Sequence, residues 1–174
     1  MKFLPKVVVA AMALATATPA ISLAATSAAL SEPNPTRPAP FPLLGTWSLD
    51  TSRLPMPTDQ RPKSVTFTFA DAGGDKWVTH VDIVYAPGVE VHSVSTATLD
   101  GTYAVIENSP EADHVAVERP APNVLVMALQ KEGVLVSTRI YTVLPDGRNL
   151  VETVVYPGTN RTPVMRANYF TRIR

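Results

Sequence analysis

The chain has 174 residues, and its 15 basic residues equal its 15 acidic residues, so the formal net charge is zero. It contains 17 prolines and no cysteine, so no disulfide can brace the fold. A neutral chain has no general attraction for nucleic acid or anionic lipid, and we expect neither as a partner.

The first 25 residues have the layout of a secretory signal peptide. Lys2 and Lys6 flank a short apolar run at residues 7–17, which is followed by small residues up to Ala25. The run is too short to cross a bilayer, so we expect residues 1–25 to be removed and the product to be periplasmic or secreted, without a membrane anchor. Removal would leave 13 basic and 15 acidic residues, a net charge of −2.

Residues 26–42 are predicted to form a flexible, proline-rich spacer. The segment from Ser31 to Pro42 carries five prolines in twelve residues, so it can neither pair in a sheet nor continue a helix. Residues 43–174 contain no second low-complexity stretch and no long helical period. We therefore interpret them as one domain.

Within that domain, apolar and polar residues alternate with period two. In the stretch SVTFTFA, Val65, Phe67 and Phe69 point to one side and the intervening threonines to the other. Similar segments follow one another along the chain, separated by turn-forming pairs such as Pro-Gly and Asp-Gly. The predicted strands are 45–50, 64–70, 76–85, 89–99, 102–106, 114–118, 124–131, 134–144, 150–156 and 164–173.

Connections this short join antiparallel neighbours, so the predicted strands should meander. A long antiparallel meander can remove its exposed edges by closing on itself. We therefore predict an all-β fold, an antiparallel up-and-down β-barrel of about 8–10 strands. The alternative is a two-sheet β-sandwich, which needs longer crossing connections that only residues 50–64 and 108–113 could supply.

The tripeptide Gly45-Thr46-Trp47 opens the first predicted strand. It resembles the Gly-x-Trp signature of the calycin superfamily, the lipocalins and fatty-acid-binding proteins. Together with STRIYTVLPDGRNLVETVVY and NYFTR, it is similar to small exported lipocalin-like proteins of bacteria. The resemblance implies that Trp47 closes one end of the barrel under an arginine from a late strand; otherwise Trp47 is an ordinary core residue. The candidate arginines are Arg166, Arg172 and Arg174.

Arg139 and Tyr141 lie on one face of the predicted strand STRIYTV. A guanidinium and a phenol can clamp a carboxylate, and the pair resembles the one with which fatty-acid-binding proteins hold their ligand. It lies on the third strand from the end, whereas the family has it on the last. The pattern leaves open which face points inward, and an outer position is the commoner one for a charged residue. Arg139 is the best candidate for a polar group in the lumen, with Tyr141 and Trp77 as further ligand-binding candidates.

The histidines are candidates for a metal site. If Pro87-Gly88 forms a two-residue turn, Ile83 lies opposite His92, and His80 and His92 point to opposite sides of the sheet. They could share an ion only if the turn had an odd length or a bulge shifted one strand. We therefore expect no metal site.

Enzyme signatures are missing from the sequence: it has no Gly-x-Ser-x-Gly elbow, no His-Glu-x-x-His, no glycine-rich phosphate loop and no cysteine nucleophile. We predict no catalytic residue and no cofactor, and a non-enzyme is favoured, although a triad assembled in space would leave no motif. The favoured function is an exported lipocalin-like barrel that binds a small apolar or amphipathic ligand in its lumen. The alternative is a packed barrel that acts through its surface, as a structural or interaction module of the cell envelope. The oligomeric state is left open.

Overall fold

The computed structural model describes residues 41–158 and 162–174. The predicted leader and all but the last two residues of the predicted spacer lie outside this part of the chain. The strands are β1 (Gly45–Leu49), β2 (Ser64–Gly73), β3 (Lys76–Ala86), β4 (Val89–Thr98), β5 (Asp100–Glu107), β6 (His114–Ala121), β7 (Val124–Lys131), β8 (Val134–Val143), β9 (Asn149–Tyr156) and β10 (Val164–Arg172).

These strands form one closed antiparallel barrel, in which each strand pairs with its neighbours in sequence and β1 pairs with β10. The up-and-down barrel predicted from the period-two pattern is confirmed, and the two-sheet sandwich is wrong. The long connection between β1 and β2 contains two single-turn 3-10 helices, Thr51–Arg53 and Thr58–Gln60.

Because the strands are antiparallel, successive connections alternate between the two ends of the barrel. The closed end holds the start of β1, the end of β10 and the turn between β2 and β3. The opposite end, which we call the mouth, holds the turns β3–β4 and β7–β8 and the connection β5–β6 at residues 108–113.

A cluster of aromatic rings fills part of the interior. The ring centroids of Phe67 and Phe170 lie 5.1 Å apart, and those of Phe69 and Tyr141 lie 5.5 Å apart. Phe69 also packs against Trp77 at 5.6 Å. Each ring comes from the inward-facing set of its strand, so the period-two pattern of the sequence builds the cluster directly.

Trp47 is fully buried at the closed end. Its indole nitrogen donates a hydrogen bond to the main-chain oxygen of Leu43 at 2.8 Å. The guanidinium carbon of Arg172 lies 4.1 Å from the centroid of the tryptophan ring, in cation–π geometry.

Arg172 also links the end of β10 to two other segments of the chain through its donors. Nη1 donates to the main-chain oxygen of Leu44 at 2.6 Å, and Nε donates to that of Gly147 at 2.9 Å. Nη2 donates to the main-chain oxygen of Pro42. One side chain therefore satisfies carbonyl groups from the start of the domain and from the β8–β9 turn, where no strand partner is available.

Gly45 is required at this end for two reasons. Its φ is +119°, a conformation that residues with a side chain rarely adopt. A Cβ at this position would also lie 2.7 Å from Nη1 of Arg172 and would collide with the main-chain oxygen of Arg174. The glycine and the tryptophan of the Gly-x-Trp motif thus meet the same arginine.

Within the described part of the chain, neither of the other candidate arginines is in cation–π geometry with Trp47. Arg166 is exposed near the mouth end of β10, with its guanidinium carbon 5.9 Å from the centroid of the Tyr156 ring, so its assignment to the barrel end is corrected. Arg174 contributes its main-chain oxygen, which accepts a hydrogen bond from the Thr46 nitrogen at 2.9 Å.

Replacing Arg172 with alanine should lower the free energy of unfolding by about 2–4 kcal/mol, because it removes a cation–π contact and charged hydrogen bonds to three carbonyls. Urea unfolding measures the loss. The matched control is Arg166→Ala, which removes an exposed arginine from the same strand and should change stability by about 0.5 kcal/mol or less. Equal losses in the two variants would contradict the role given to Arg172.

Candidate ligand-binding site

A cavity of about 260 Å³ lies inside the barrel on the side of the mouth. Much of its wall is apolar and comes from Val81, Ile83, Ile106, Met127 and Leu129. The opposite part of the interior is occupied by the aromatic cluster. Space remains near the mouth because β4 presents small side chains to the interior, where a bulky residue would fill it. The inward residues of β4 include Ser93, Ser95 and Ala97.

One side of the cavity carries a polar cluster formed by β8, β9 and β10. Arg139 Nη1 donates a hydrogen bond to Glu152 Oε1 at 3.1 Å. Asn168 Nδ2 donates to Glu152 Oε2 at 2.7 Å, so both carboxylate oxygens of this buried residue are satisfied. Tyr141 lies directly opposite Glu152 in the β8–β9 register and is 1% exposed.

A second carboxylate reaches Arg139 from the mouth. Glu111, in the β5–β6 connection, forms an ion pair with Nη2 of Arg139. The side chain of Glu111 is 42% exposed, whereas that of Arg139 is 12% exposed. Glu111 therefore covers the guanidinium from the solvent side. With one positive and two negative groups, the formal charge of the polar cluster is −1.

The surroundings of the cluster shift two pKa values. Burial by itself lowers the pKa of Arg139, but the neighbouring acidic groups Tyr141, Glu152 and Glu111 outweigh it, so the pKa is raised and the guanidinium stays charged. Burial and the negative charge of Glu152 raise the pKa of the Tyr141 phenol well above its ordinary value. Tyr141 is therefore a neutral hydroxyl at physiological pH.

The structure brings two of the three predicted ligand-binding residues together. Arg139 and Tyr141 both face the lumen and border the cavity, so the commoner outward position of a charged strand residue does not apply here. Trp77 does not border this cavity. It lies on the side of the closed end against Phe69 and lines a different, smaller cavity.

Besides Asn168, three polar residues of the site were not predicted from the sequence. Glu152 could have been found, because it lies between Leu150 and Val154 on the inward face of a strand, where a carboxylate needs a buried partner. Thr79 borders the cavity with a buried hydroxyl that has no hydrogen-bond partner among the described residues. Glu111 had no such signal, because its contact with Arg139 depends on the path of a loop.

The histidine register predicted from the β3–β4 turn is wrong. Ala86 does face Val89, but a bulge between Val84 and Ala86 shifts the ladder, so that His92 lies opposite Asp82. His80 and His92 consequently lie on the same, outer face, and both are exposed. His92 contacts acidic groups, with Nδ1 2.7 Å from Asp82 and Nε2 3.2 Å from Glu90.

No group of three or more histidine, aspartate or glutamate side chains within residues 41–158 and 162–174 is arranged to hold a metal ion. In the same ranges, no helix has the length and apolar character needed to span a membrane.

The fold is a closed antiparallel β-barrel, with Trp47 beneath Arg172 at one end and a cavity with an internal polar cluster towards the other. Solved structures of the fluorescent protein UnaG are similar to it. The wild-type structure has a TM-score of 0.50 and 14% identity, covering 74% of this chain and 96% of that one. The structure of an asparagine-to-alanine mutant of UnaG has a TM-score of 0.52 and 14% identity, and the match covers 76% of this chain and 97% of that one.

The likeness to UnaG is one of fold alone, because so few residues are identical. No protein-family model matches the sequence, and no curated protein matches it significantly. The similarity therefore supports the barrel fold expected from the sequence and does not identify a ligand.

Replacing Arg139 with methionine should lower the free energy of unfolding by about 3–5 kcal/mol, because it leaves Glu152 buried without a cation. The double variant Arg139→Met with Glu152→Gln should recover a large part of that loss, since the uncompensated charge is then gone. Urea unfolding of the two single variants and the double variant completes the cycle. Strict additivity of the two single effects would contradict a coupled pair.

His92 should titrate above its ordinary pKa of 6.5, because its hydrogen bonds with Asp82 and then Glu90 stabilise the charged ring. A folded pKa above the unfolded one means that the stabilisation is complete below pH 6.5 and is lost as pH rises through the folded value. An NMR titration of the ring protons measures the pKa of His92. Asp82→Asn should lower the pKa, whereas the exposed control Asp59→Asn should leave it unchanged; the same pKa in all three proteins would exclude the ion pair.

Proposed function

We propose that this protein is exported by its leader and binds one small amphipathic molecule in the lumen of its barrel. The cavity that borders Arg139 and Glu152 carries this proposal, because it combines apolar walls with a small number of converging polar groups, which is typical of ligand sites. Its volume of about 260 Å³ lies just below the usual range for drug-sized ligands, so a small ligand is favoured.

The charges around the cavity favour a neutral or positively charged head group. Arg139 already pairs with Glu152 and Glu111, so its guanidinium is not a vacant anchor for an anion. A ligand carboxylate would have to compete with one of these two groups, and in a site of low dielectric the surplus negative charge opposes it. The hydroxyl of Thr79 provides an additional partner for a neutral or cationic head group.

Glu111 is the carboxylate that a ligand anion could displace. Glu152 is 1% exposed and is held by Asn168 as well as by Arg139, whereas Glu111 is half-exposed on a loop. Displacing Glu111 returns it to water, and that costs far less than stranding Glu152 in the interior. Glu111 therefore acts as a built-in competitor that disfavours anionic ligands.

Octanol, octylamine and octanoate test this account, because they share an apolar chain and differ in the charge of the head group. Octanol and octylamine should raise the melting temperature of the full chain by mass action and should bind more tightly than octanoate. Isothermal titration calorimetry gives the affinities. If none of the three binds, lumenal binding is excluded and the packed, surface-acting barrel becomes the better account.

The variant Glu111→Gln tests the competitor directly. It should improve octanoate binding by about tenfold, because Arg139 then has a single carboxylate partner, and it should change octanol binding little. The matched control is Glu132→Gln, an exposed glutamate at the same end of the barrel. An equal gain in both variants would show a general effect of surface charge, and tighter binding of octanoate than of octylamine to the unaltered protein would contradict the charge argument.

A further inference from the structure

A second cavity, of about 160 Å³, lies at the closed end of the barrel. None of the residues that line it borders the larger cavity, so it is a separate space. Its lining includes Phe41, Trp77, Leu99, Arg119 and the β2–β3 turn with Asp71 and Asp75. The site in the lumen includes none of these residues.

Trp77, one of the lining residues, carries an unsatisfied donor. Trp77 is 1% exposed, and its Nε1 has no hydrogen-bond partner among the described residues. The other tryptophan of the chain, Trp47, gives its Nε1 proton to the main-chain oxygen of Leu43. A buried donor without an acceptor costs about 1–3 kcal/mol, so an acceptor that enters the cavity would be bound favourably.

Arg119 brings a second donor. It belongs to the end of β6, where the ladder to β7 is interrupted by a bulge between Glu118 and Ala121. Its Nη1 is buried without a hydrogen-bond partner, and none of the ion pairs among the described residues includes it. Its guanidinium carbon lies 3.5 Å from the centroid of the Phe41 ring, so stacking fixes the plane while the donor remains uncommitted.

The acidic groups of the turn define the rest of the ligand. A planar guanidinium matches a carboxylate group, and the indole N–H adds a further donor. Asp71 and Asp75, however, would repel a simple anion and attract a positive group. A volume of about 160 Å³ equals the share of roughly five water molecules, which suits a very small molecule.

We propose that the closed end of the barrel binds a small zwitterion of the amino-acid type. Its carboxylate accepts hydrogen bonds from the Trp77 indole and the Arg119 guanidinium, and its ammonium group faces Asp71 and Asp75. The simplest competing occupant is ordered water, which would satisfy the same donors without selecting between solutes.

NMR spectroscopy of the full-length protein labelled with nitrogen-15 tests the site, because each tryptophan gives one indole signal. Alanine should shift the Trp77 indole signal in a saturable manner and leave that of Trp47 unchanged; Trp77→Phe assigns the two. Propionate, which lacks the ammonium group, should bind several-fold more weakly, and propylamine, which lacks the carboxylate, should not shift the signal. If the Trp77 signal stays unchanged at about 100 mM alanine, far above a millimolar dissociation constant, the cavity holds water only and the proposal fails.

Two variants separate the roles of the charged groups. Arg119→Gln should weaken alanine binding at least tenfold, and Asp75→Asn, an exposed change in a turn, should reduce the preference for alanine over propionate. Arg166→Gln, an exposed arginine near the mouth, is the control for net charge and should leave alanine binding unaltered. If the Arg119→Gln variant binds alanine as tightly as the unaltered protein, the assignment is overturned. An unchanged preference of Asp75→Asn for alanine over propionate would overturn it as well. The second variant decides the question if Arg119→Gln does not fold.

Discussion

The contact between Trp47 and Arg172 is the interaction on which the rest of the barrel depends. The β1–β10 ladder, which closes the barrel, has only three paired positions, and Trp47 lies opposite Arg172 in it. Three carbonyl oxygens of other segments accept hydrogen bonds from the same arginine, so a single side chain reinforces the weak seam where the sheet meets itself. Without closure, β1 and β10 would be exposed edges, and the meander would have no interior to organise.

Closure at one end also explains why the two halves of the interior differ. Next to the seam, Phe67 lies opposite Trp47 in the β1–β2 register, and its ring packs against those of Phe69 and Phe170 to form an aromatic layer. Away from the seam, β4 turns serines inward, and a cavity remains. The volume that a ligand could occupy is therefore set by which strand contributes small residues, and the aromatic layer keeps it apart from the polar cavity at the closed end.

Sequence alone predicted the strands and their closure because period-two alternation and turn residues are local signals. It failed where one extra residue alters a ladder: the bulge after Val84 moved His92 from Ile83 to Asp82, and no residue type marks that bulge. The inward direction of Arg139 was also hidden, because its partners Glu111 and Glu152 are 28 and 13 residues away. Only Glu152 left a trace, as a carboxylate on an otherwise apolar strand face.

The guanidinium groups of Arg139 and Arg119 differ in whether their donors already have acceptors in the protein. Arg139 has its charge matched twice over by carboxylates, so it cannot gain much from a ligand anion and acts mainly to hold Glu152 in the interior. Arg119 is fixed by an aromatic ring alone and keeps a buried donor without an acceptor. Burial by itself is therefore a poor guide to a binding arginine. Whether a buried arginine can bind a ligand depends on its hydrogen bonds, because a ligand gains free energy only where a desolvated donor is still unpaired.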